Sequence, residues 1–261
     1  MVLGAEIDRA SGIPLYLQIR QRVLALIDER QLGAGDALPS ENELQDLFRV
    51  SRATIRHTLA LLEREGLVER HQGRGTFVAL PRLSRTLPDL TSFTEHLTEQ
   101  RIRSSSTLLA FERIAAGELP RPAVSDDEPL PADHFPGLAI VRFVRLRIAN
   151  DTPVGVHTTL TPAWFATAIG LTEAQVLEAR AFSFYDAIER AGQRLAWAEE
   201  HLVARGAGRS EAALMGVPHG TAVMSVLRLS RSADDQLIEA VRAVYLGDKY
   251  DYVVQLERRD R

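Results

Sequence analysis

The sequence contains no cysteine among its 261 residues. It therefore has no disulfide, no thiolate metal site and no cysteine nucleophile. This absence fits a reducing compartment. Long apolar runs are also missing, since none approaches the roughly 18 residues that a membrane-spanning helix needs. The first residues, "MVLGAEIDRA", carry acids where a secretory signal needs an apolar core. We expect a cytoplasmic protein that has no membrane association.

The motifs of common enzyme and metal sites are missing as well. The seven histidines show no metal-ligand spacing such as H-E-x-x-H. Glu199, Glu200 and His201 are consecutive on a predicted strand, where neighbours face opposite ways. There is no G-x-S-x-G turn and no phosphate-binding loop. We expect no catalytic residue, no bound metal and no cofactor.

The charge of the chain is unevenly distributed. The formal net charge is −4, which argues against indiscriminate binding to nucleic acids. Residues 49 to 80, however, contain six arginines and three glutamates, a local balance of six minus three, or +3. A basic patch on an acidic chain is what selective DNA binding requires. A solvated charged surface is the alternative, and charge alone does not choose between them.

The first 80 residues predict three helices followed by a hairpin. Apolar residues spaced by three and four between Pro14 and Gln31 indicate the first helix. Ser40 and Glu43 form a capping-box pattern for the second, and Ser51 can cap the third. "LVERHQ" and "TFVAL" indicate two strands around a "GRG" turn. This order of elements is that of a winged helix-turn-helix.

The third predicted helix carries two arginines on one face. Arg52 and Arg56 are four residues apart, and Ile55, Leu59 and Leu62 mark the opposite, buried face. The fork of a guanidinium matches O6 and N7 of guanine in the major groove. The small wing turn allows close approach to the DNA backbone, where its arginine can reach a phosphate or the minor groove. The alternative is a pair of solvated arginines and an ordinary tight turn.

Residues 13 to 79 closely resemble the DNA-binding domain of the GntR family of bacterial transcription regulators, through "LPSENELQDLF", "VSRATIRHTLALLEREGLV" and "GRGTFV". Where that family usually carries "PSER", with an arginine that touches DNA, this chain has "PSEN". The resemblance therefore implies a changed operator preference at one position per half-site. The DNA-contacting residues that it implies are Asn42, Ser51, Arg52, Thr54, Arg56, Gly73, Arg74 and Gly75.

The remaining chain predicts an α/β domain with a mainly antiparallel sheet. Seven segments rich in valine, leucine and aromatic residues read as strands, from "STLLAFERIAA" to "YDYVVQLER". Helical patterns occur near 163–169, 172–180, 183–191 and 209–215. The turns "ANDTP" and "SADDQ" each join two strands and lie about 84 residues apart, which suggests a duplicated hairpin.

Two arginines of this part indicate an anion site. Arg145 and Arg147 alternate on a predicted strand and so point to the same face. On an interior face two cations need a partner, and a bound anion is one candidate. Acidic side chains across the sheet are the other. Ser183, likewise, can be a helix cap rather than a ligand-binding hydroxyl.

The segment from residue 89 to 257, with "SFTEHLTEQ" and "VYLGDKY", resembles the UTRA effector domain of the HutC subfamily, which has a chorismate-lyase-like fold. The resemblance implies that Arg145, Arg147, Ser183 and Tyr185 hold an acidic group of the effector. It places His157, Glu239 and Tyr245 around the rest of the ligand, and Ser92, Phe93 and Thr94 in a helix that closes over it. Many relatives have glutamate at the position of His157, so the histidine implies a preference for a carboxylate or a ring.

Together these patterns predict an α+β protein with a winged helix-turn-helix over residues 1–80, a linker over 81–88 and an effector-binding, dimerising domain over 89–261. The predicted function is a homodimeric transcription regulator, a repressor that a small anionic metabolite releases from a palindromic operator. Two alternatives stay open. One is a chorismate-lyase-like enzyme that acts on a small aromatic acid. The other is a constitutive DNA-binding protein with an empty second domain.

Overall fold

The computed structural model describes residues 7–71, 73–79, 82–87, 89–100, 102–118, 131–178 and 182–256. The chain divides into two compact units, Met1–Pro81 and Arg82–Arg261. Each unit contains its own cluster of buried apolar side chains. Because the first unit is mainly helical and the second is built on a sheet, the chain has the predicted α+β class.

The first unit is a three-helix bundle with a hairpin. Its elements are α1 (Leu15–Glu29), α2 (Glu41–Phe48), α3 (Arg52–Arg64), β1 (Val68–His71) and β2 (Gly75–Val78). The predicted apolar faces meet in one core, which includes Ile19, Val23, Leu44, Ile55 and Leu59. Because each helix contributes a stripe of apolar residues at helical spacing, the three pack around a common centre. The winged helix-turn-helix predicted from the sequence is confirmed.

The turn between α2 and α3 is held by local polar contacts. Ser40 and Glu43 form the predicted capping box at the start of α2. Arg49 ends α2 in the left-handed conformation, with φ 51°. Ser51 caps α3, because its side chain accepts a hydrogen bond from the backbone N–H of Thr54. These contacts set where α3 begins, and with it the position of Arg52.

The hairpin forms the predicted wing. Strands β1 and β2 pair in antiparallel fashion, with His71 opposite Gly75. Gly73 and Gly75 have φ values of 75° and 116°, which residues with a side chain rarely adopt. The backbone N–H of Leu38 donates to the carbonyl of Thr76 at 2.8 Å, so the wing is joined to the segment before α2.

The second unit is built on a six-stranded antiparallel sheet. Its helices and strands are, in chain order, β3 (Leu83–Leu87), α4 (Phe93–Glu99), β4 (Ser104–Ile114), β5 (Ile140–Ala149), β6 (Thr152–Pro162), α5 (Ala163–Ala168), α6 (Glu173–Glu178), α7 (Phe184–Arg190), β7 (Trp197–Gly206), α8 (Arg209–Met215), β8 (Ala222–Arg231), β9 (Leu237–Leu246) and β10 (Tyr250–Val254). The strand order is β4-β5-β6-β9-β8-β7. The mainly antiparallel sheet predicted from the sequence is therefore present.

The sheet consists of two three-stranded halves. The two hairpins whose turns suggested a duplication, β5–β6 and β8–β9, occupy matching places in the strand order. The halves join where β6 pairs with β9 over Gly155–Leu160 and Ala240–Tyr245. One face of the sheet packs against α5, α6 and α7 through a cluster that includes Phe143. The other face packs against α8.

The segment predicted as a linker, residues 81–88, is not simply a connection. Its residues 83–87 form β3, which pairs in parallel with β10 near the end of the chain. Pro81 and Pro88, which suggested the linker, lie outside the described residues. The sequence pattern missed β3 because its partner strand lies more than 160 residues away, beyond the reach of local signals.

Candidate nucleic-acid interface and ligand cavity

The two arginines of α3 face away from the core of the first unit. Arg52 and Arg56 are exposed, and the side chain of Arg52 keeps 66% of its surface accessible. Ile55 and Leu59, on the opposite side of the helix, are buried. The predicted arrangement, with a cationic face over a buried apolar face, is what the structure shows.

A glutamate that the sequence analysis did not single out holds Arg52. The Nε of Arg52 donates to Glu41 Oε2 at 3.1 Å, and Arg70 Nη2 donates to Glu41 Oε1 at 2.9 Å. Glu41 thus joins α2, α3 and the first strand of the wing. Within the described residues, no hydrogen bond is found for the terminal nitrogens of Arg52. These nitrogens are the donors that can bond to O6 and N7 of guanine.

The other predicted DNA-contacting residues surround this face. Ser51 and Thr54 bond to each other through their hydroxyl oxygens at 2.8 Å. Asn42 is exposed in the first turn of α2. In the wing, Arg74 is exposed between Gly73 and Gly75, and its guanidinium carbon lies 5.9 Å from the ring centre of Phe77.

In the second unit, one cavity brings together every predicted effector-binding residue. It is narrow, with about 30 Å³ of space for the centres of water-sized molecules, and it is partly open to solvent. The ten predicted residues at its wall are Ser92, Phe93, Thr94, Arg145, Arg147, His157, Ser183, Tyr185, Glu239 and Tyr245. Seven further lining residues were not predicted: Thr159, Phe184, Val226, Arg228, Val241, Ala243 and Tyr252. Alternation along β5, β6, β8 and β9 could have identified most of these.

Arg145 is buried at the cavity wall. Its Nη1 donates to the carbonyl of Phe182 at 3.1 Å, and its guanidinium carbon lies 4.9 Å from the ring centre of Phe143. Within the described residues, its Nε has no hydrogen-bond partner. Burial, and after it the nearby Arg147, lowers the pKa of Arg145 well below its usual value. A bound anion would relieve both effects.

Arg147, His157 and Tyr245 form a hydrogen-bonded row. Arg147 Nε donates to His157 Nδ1 at 3.1 Å, and the His157 Nε2 lies 2.8 Å from the Tyr245 hydroxyl. Because Nδ1 accepts a hydrogen bond, the ring proton resides on Nε2. Burial, followed by Arg147 and Arg145, lowers the pKa of His157 well below its usual value. His157 is therefore neutral and adds no charge to the cavity.

Within the described residues, Arg145 and Arg147 form no direct ion pair with an acid of the sheet, although the buried Glu239 acts to raise the pKa of both against the larger lowering effect of burial. Arg142 of the same strand, in contrast, pairs with Glu112. Glu239 instead accepts a hydrogen bond from Ser230 at 2.9 Å. Burial raises the pKa of Glu239 to about 7, against the lowering effects of Ser230 and the two arginines.

The two serine residues of the cavity cap two short helices. Ser183 accepts a hydrogen bond from the backbone N–H of Asp186 at 3.2 Å, which makes it the cap of α7. Its hydroxyl lies 3.5 Å from that of Ser92, the cap of α4. The alternative of a helix cap is thus correct for Ser183, and the same hydroxyl also lines the cavity.

Tyr245, a residue of the cavity wall, belongs to an aromatic stack. Tyr245 stacks on Tyr250 with ring centres 3.9 Å apart. Gly155, opposite Tyr245 in the β6–β9 pair, leaves room for that ring. A Cβ at Gly155 would lie 2.6 Å from the carbonyl oxygen of Val244 and 2.8 Å from Cδ1 of Tyr245. Glycine at this position therefore allows the tyrosine to lie across the strand.

The described residues contain neither a metal site nor a membrane-spanning helix. They contain no group of three or more histidine, aspartate or glutamate side chains placed to hold a metal ion. No helix among them has the length and apolar character needed to cross a membrane.

Both units match known protein families. Residues 15–78 match the family model described as bacterial regulatory proteins, gntR family. Residues 99–251 match the UTRA domain. The matched ranges contain the arginines of α3 and most of the cavity residues, respectively.

Similar proteins match along nearly the whole chain. The HTH-type transcriptional repressor NagR of Bacillus subtilis is 31% identical over 97% of this chain and 99% of its own length. The mannosyl-D-glycerate transport/metabolism system repressor MngR of Escherichia coli is 26% identical over 94% and 97%. The crystal structure of PhnF from Mycobacterium smegmatis superposes with a TM-score of 0.61 at 25% identity, covering 92% of this chain and all of that one.

Proposed function

Because the chain belongs to the GntR family of bacterial regulatory proteins and carries a UTRA domain, we propose that it is a homodimeric repressor that a small hydroxylated anion releases from DNA. Membership of this family makes the chain a ligand-responsive DNA-binding transcription regulator and not an enzyme. The lyase alternative raised by the fold of the second domain is therefore wrong, since a shared fold does not carry an activity with it.

The DNA-binding role rests on the exposed face of α3. Arg52 presents its terminal nitrogens to solvent while Glu41 holds its Nε at 3.1 Å. In the proposed complex Arg52 and Arg56 read base edges in the major groove. Ser51, Thr54, Asn42 and the wing residues Gly73, Arg74 and Gly75 contact the DNA backbone and adjacent bases.

We infer a homodimer because one winged helix-turn-helix contacts only a short stretch of DNA. A single recognition helix reads only a few base pairs, so two helices related by two-fold symmetry multiply specificity on a palindromic operator. We assign residues 1–80 to the reading head, 81–88 to the connection and 89–261 to effector binding and dimerisation. The proposed site of action is the cytoplasm, where the DNA lies.

The cavity supports an anion as effector. Arg145 and Arg147 are both buried and form no ion pair with a carboxylate within the described residues. This is the observation that carries the proposal, because two buried cations require compensation. In the proposed complex Arg145, Arg147, Ser183 and Tyr185 hold the acidic group.

The rest of the wall fits a hydroxylated molecule. His157, Glu239 and Tyr245 offer hydrogen-bonding atoms. Ser92, Phe93 and Thr94, at the start of α4, line the same cavity. The name of the similar repressor MngR refers to mannosyl-D-glycerate, a sugar bearing a carboxylate, which agrees with this ligand class.

Release from DNA requires a difference in affinity between two states. The effector shifts the dimer only by as much as it binds one arrangement more tightly than the other. By linkage, DNA must weaken effector binding by the same factor. A repressor of this kind therefore shows reciprocal effects in two independent binding measurements.

The test begins with duplexes selected from a random pool by the full-length protein. Sugar phosphates and sugar acids are screened for a rise in melting temperature, since a ligand of the native state stabilises it by mass action. Stabilising compounds should then lower the affinity for the selected duplex. Selection of no preferred sequence would reject the DNA-binding role. Selection of a sequence without any stabilising anion would instead support the constitutive DNA-binding protein.

A further inference from the structure

One buried carboxylate of the second unit is shared by two arginines. Glu200 on β7 forms an ion pair with Arg228 Nε on β8 and lies 3.5 Å from Arg85 Nη2 on β3. All three side chains are almost inaccessible, at 10%, 11% and 3% of their surface. Within the described residues, Glu200 is the only carboxylate paired with Arg85. The position of each arginine therefore depends on the same acid.

Hydrogen bonds connect this cluster to the cavity. Arg228 Nη1 donates to the hydroxyl of Tyr185 at 3.1 Å, and that hydroxyl lies 3.3 Å from Ser230 Oγ. Ser230 in turn donates to Glu239 at 2.9 Å. Tyr185, Arg228 and Glu239 all line the cavity. An unbroken row of polar contacts thus runs from the cavity wall to Arg85.

Arg85 lies on the strand by which the chain enters the second unit. The unit starts at Arg82, and β3 starts at Leu83. Arg85 is opposite Tyr252 in the parallel pairing of β3 with β10, and Tyr252 also lines the cavity. The first unit ends at Pro81, so β3 is the first strand of the second unit along the chain.

We propose that Arg85 and Glu200 are positioning residues that couple the occupancy of the cavity to the placement of β3. The inference rests on the proposed effector role of the cavity and names its route of regulation. An anion that attracts Arg228 or the Tyr185 hydroxyl changes the ion pair between Arg228 and Glu200. Arg85 must follow, because a buried guanidinium left without its acid is strongly unfavourable. The two arrangements of the row are the two states between which an effector selects.

The experiment measures this coupling without DNA or effector. Tyr185→Phe removes the hydroxyl that links Arg228 to Ser230, and Glu200→Gln removes the shared charge. Backbone amide exchange of Leu83–Leu87 is followed by mass spectrometry in the full-length protein. We expect Tyr185→Phe to speed exchange in β3 by about fivefold or more and to leave β5 within about twofold, since exchange reports local opening.

The double variant tests whether the row of polar contacts from the cavity to Arg85 transmits the change in amide exchange to β3. In a Glu200→Gln background, Tyr185→Phe should add less than about twofold to exchange in β3, because coupled sites are not additive. Glu199→Gln is the matched control, since Glu199 is the preceding residue, is exposed and pairs with His201. If Glu200→Gln does not fold, Arg85→Lys replaces it, because lysine keeps the charge but lacks the guanidinium fork.

Three results would overturn the inference. They are an unchanged exchange rate in β3 of Tyr185→Phe, full additivity in the double variant, and the same effect from Glu199→Gln. None of them would affect the proposed function, which depends on operator binding and its release by an anion. A failure of operator binding, conversely, would leave the exchange result intact.

Discussion

The hydroxyl oxygen of Tyr245 lies 2.8 Å from Nε2 of His157, whose other ring nitrogen accepts a hydrogen bond from Arg147. Burial and the nearby arginines keep the ring neutral, and the hydrogen bond from Arg147 fixes its tautomer. That hydrogen bond also occupies one donor of Arg147, so the arginine meets a ligand with fewer free N–H groups than Arg145 does. The histidine, together with Ser106, therefore limits the N–H groups that Arg147 can donate to a ligand.

Introducing a negative charge at His157 should weaken anion binding. In His157→Glu the new carboxylate would pair with Arg147 and cancel part of the positive charge of the cavity. We expect at least about a tenfold lower affinity for the anion that releases the operator, a loss of about 1.4 kcal/mol. Isothermal titration calorimetry measures it, and His201→Glu at the exposed face of β7 is the control. Equal affinities would show that His157 does not set the preference.

Arg52→Ala should abolish specific operator binding. Loss of one bidentate contact to guanine costs about 1–3 kcal/mol per half-site, and a dimer has two half-sites. Fluorescence anisotropy with the selected duplex and with a scrambled one measures the loss of discrimination. Arg64→Ala, in the last turn of the same helix, is the control and should bind normally. Undiminished specific binding by Arg52→Ala would count against α3 as the reading helix.

Arg145→Met should separate operator binding from the response to the anion. The variant keeps most of the apolar contacts of the side chain but removes the cation, so operator binding should remain within about threefold of the wild type while release by the anion is lost. Arg103→Met, at an exposed ion pair with Asp151, is the matched control. An unchanged response of Arg145→Met to the anion would remove this residue from the ligand site.

Glu239 should make the stability of the second unit depend on pH. Its pKa is raised from 4.5 to about 7 by burial, so the folded protein favours the protonated carboxyl. The resulting contribution to stability is complete below pH 4.5 and is lost as the pH rises through 7. Its size is about 1–3 kcal/mol. Glu239→Gln stays neutral at all pH values and should lose this dependence.

Thermal melts at pH 5, 6, 7 and 8 measure the effect. The melting temperature of the wild type should fall relative to that of Glu239→Gln as the pH rises over this range. Glu199→Gln, at an exposed site on β7, should follow the wild type. Parallel pH profiles for wild type and Glu239→Gln would mean that Glu239 is ionised throughout.

Gly155→Ala should destabilise the sheet where its halves join. The added Cβ meets the backbone carbonyl oxygen of Val244 at 2.6 Å, a contact that side-chain rotation cannot relieve. We expect a loss of about 1–3 kcal/mol in the free energy of unfolding, as for other overpacked interiors. Gly12→Ala, which meets nothing within 4 Å, should be neutral in a denaturant titration. A fully stable Gly155→Ala protein would show that the backbone at Val244 can shift to accept the Cβ.

The first unit could be predicted almost completely, because its signals are local. The capping residues Ser40 and Ser51 and the helical spacing of apolar residues specify each helix within a few positions. Glu41 escaped notice, since its two arginine partners lie 11 and 29 residues away. A polar residue gives no sign in the sequence of which distant charge it meets.

The cavity was only partly predictable. Strand alternation placed Arg145 and Arg147 on one face, and the resemblance to the UTRA domain supplied the other residues. The cluster around Glu200 was missed, because its partners Arg85 and Arg228 come from strands whose pairing the sequence pattern does not reveal. Long-range pairing of this kind depends on register and on the order of strands across the whole sheet.

The join between β6 and β9 divides the cavity wall as well as the sheet. Arg145, Arg147 and His157 belong to one half, whereas Glu239 and Tyr245 belong to the other. A molecule long enough to contact both sets of residues would link the two halves of the sheet. A shorter anion that binds only to the arginines would occupy the same cavity without linking the two halves of the sheet. We therefore expect molecular length, as well as charge, to decide which anions release the proposed operator.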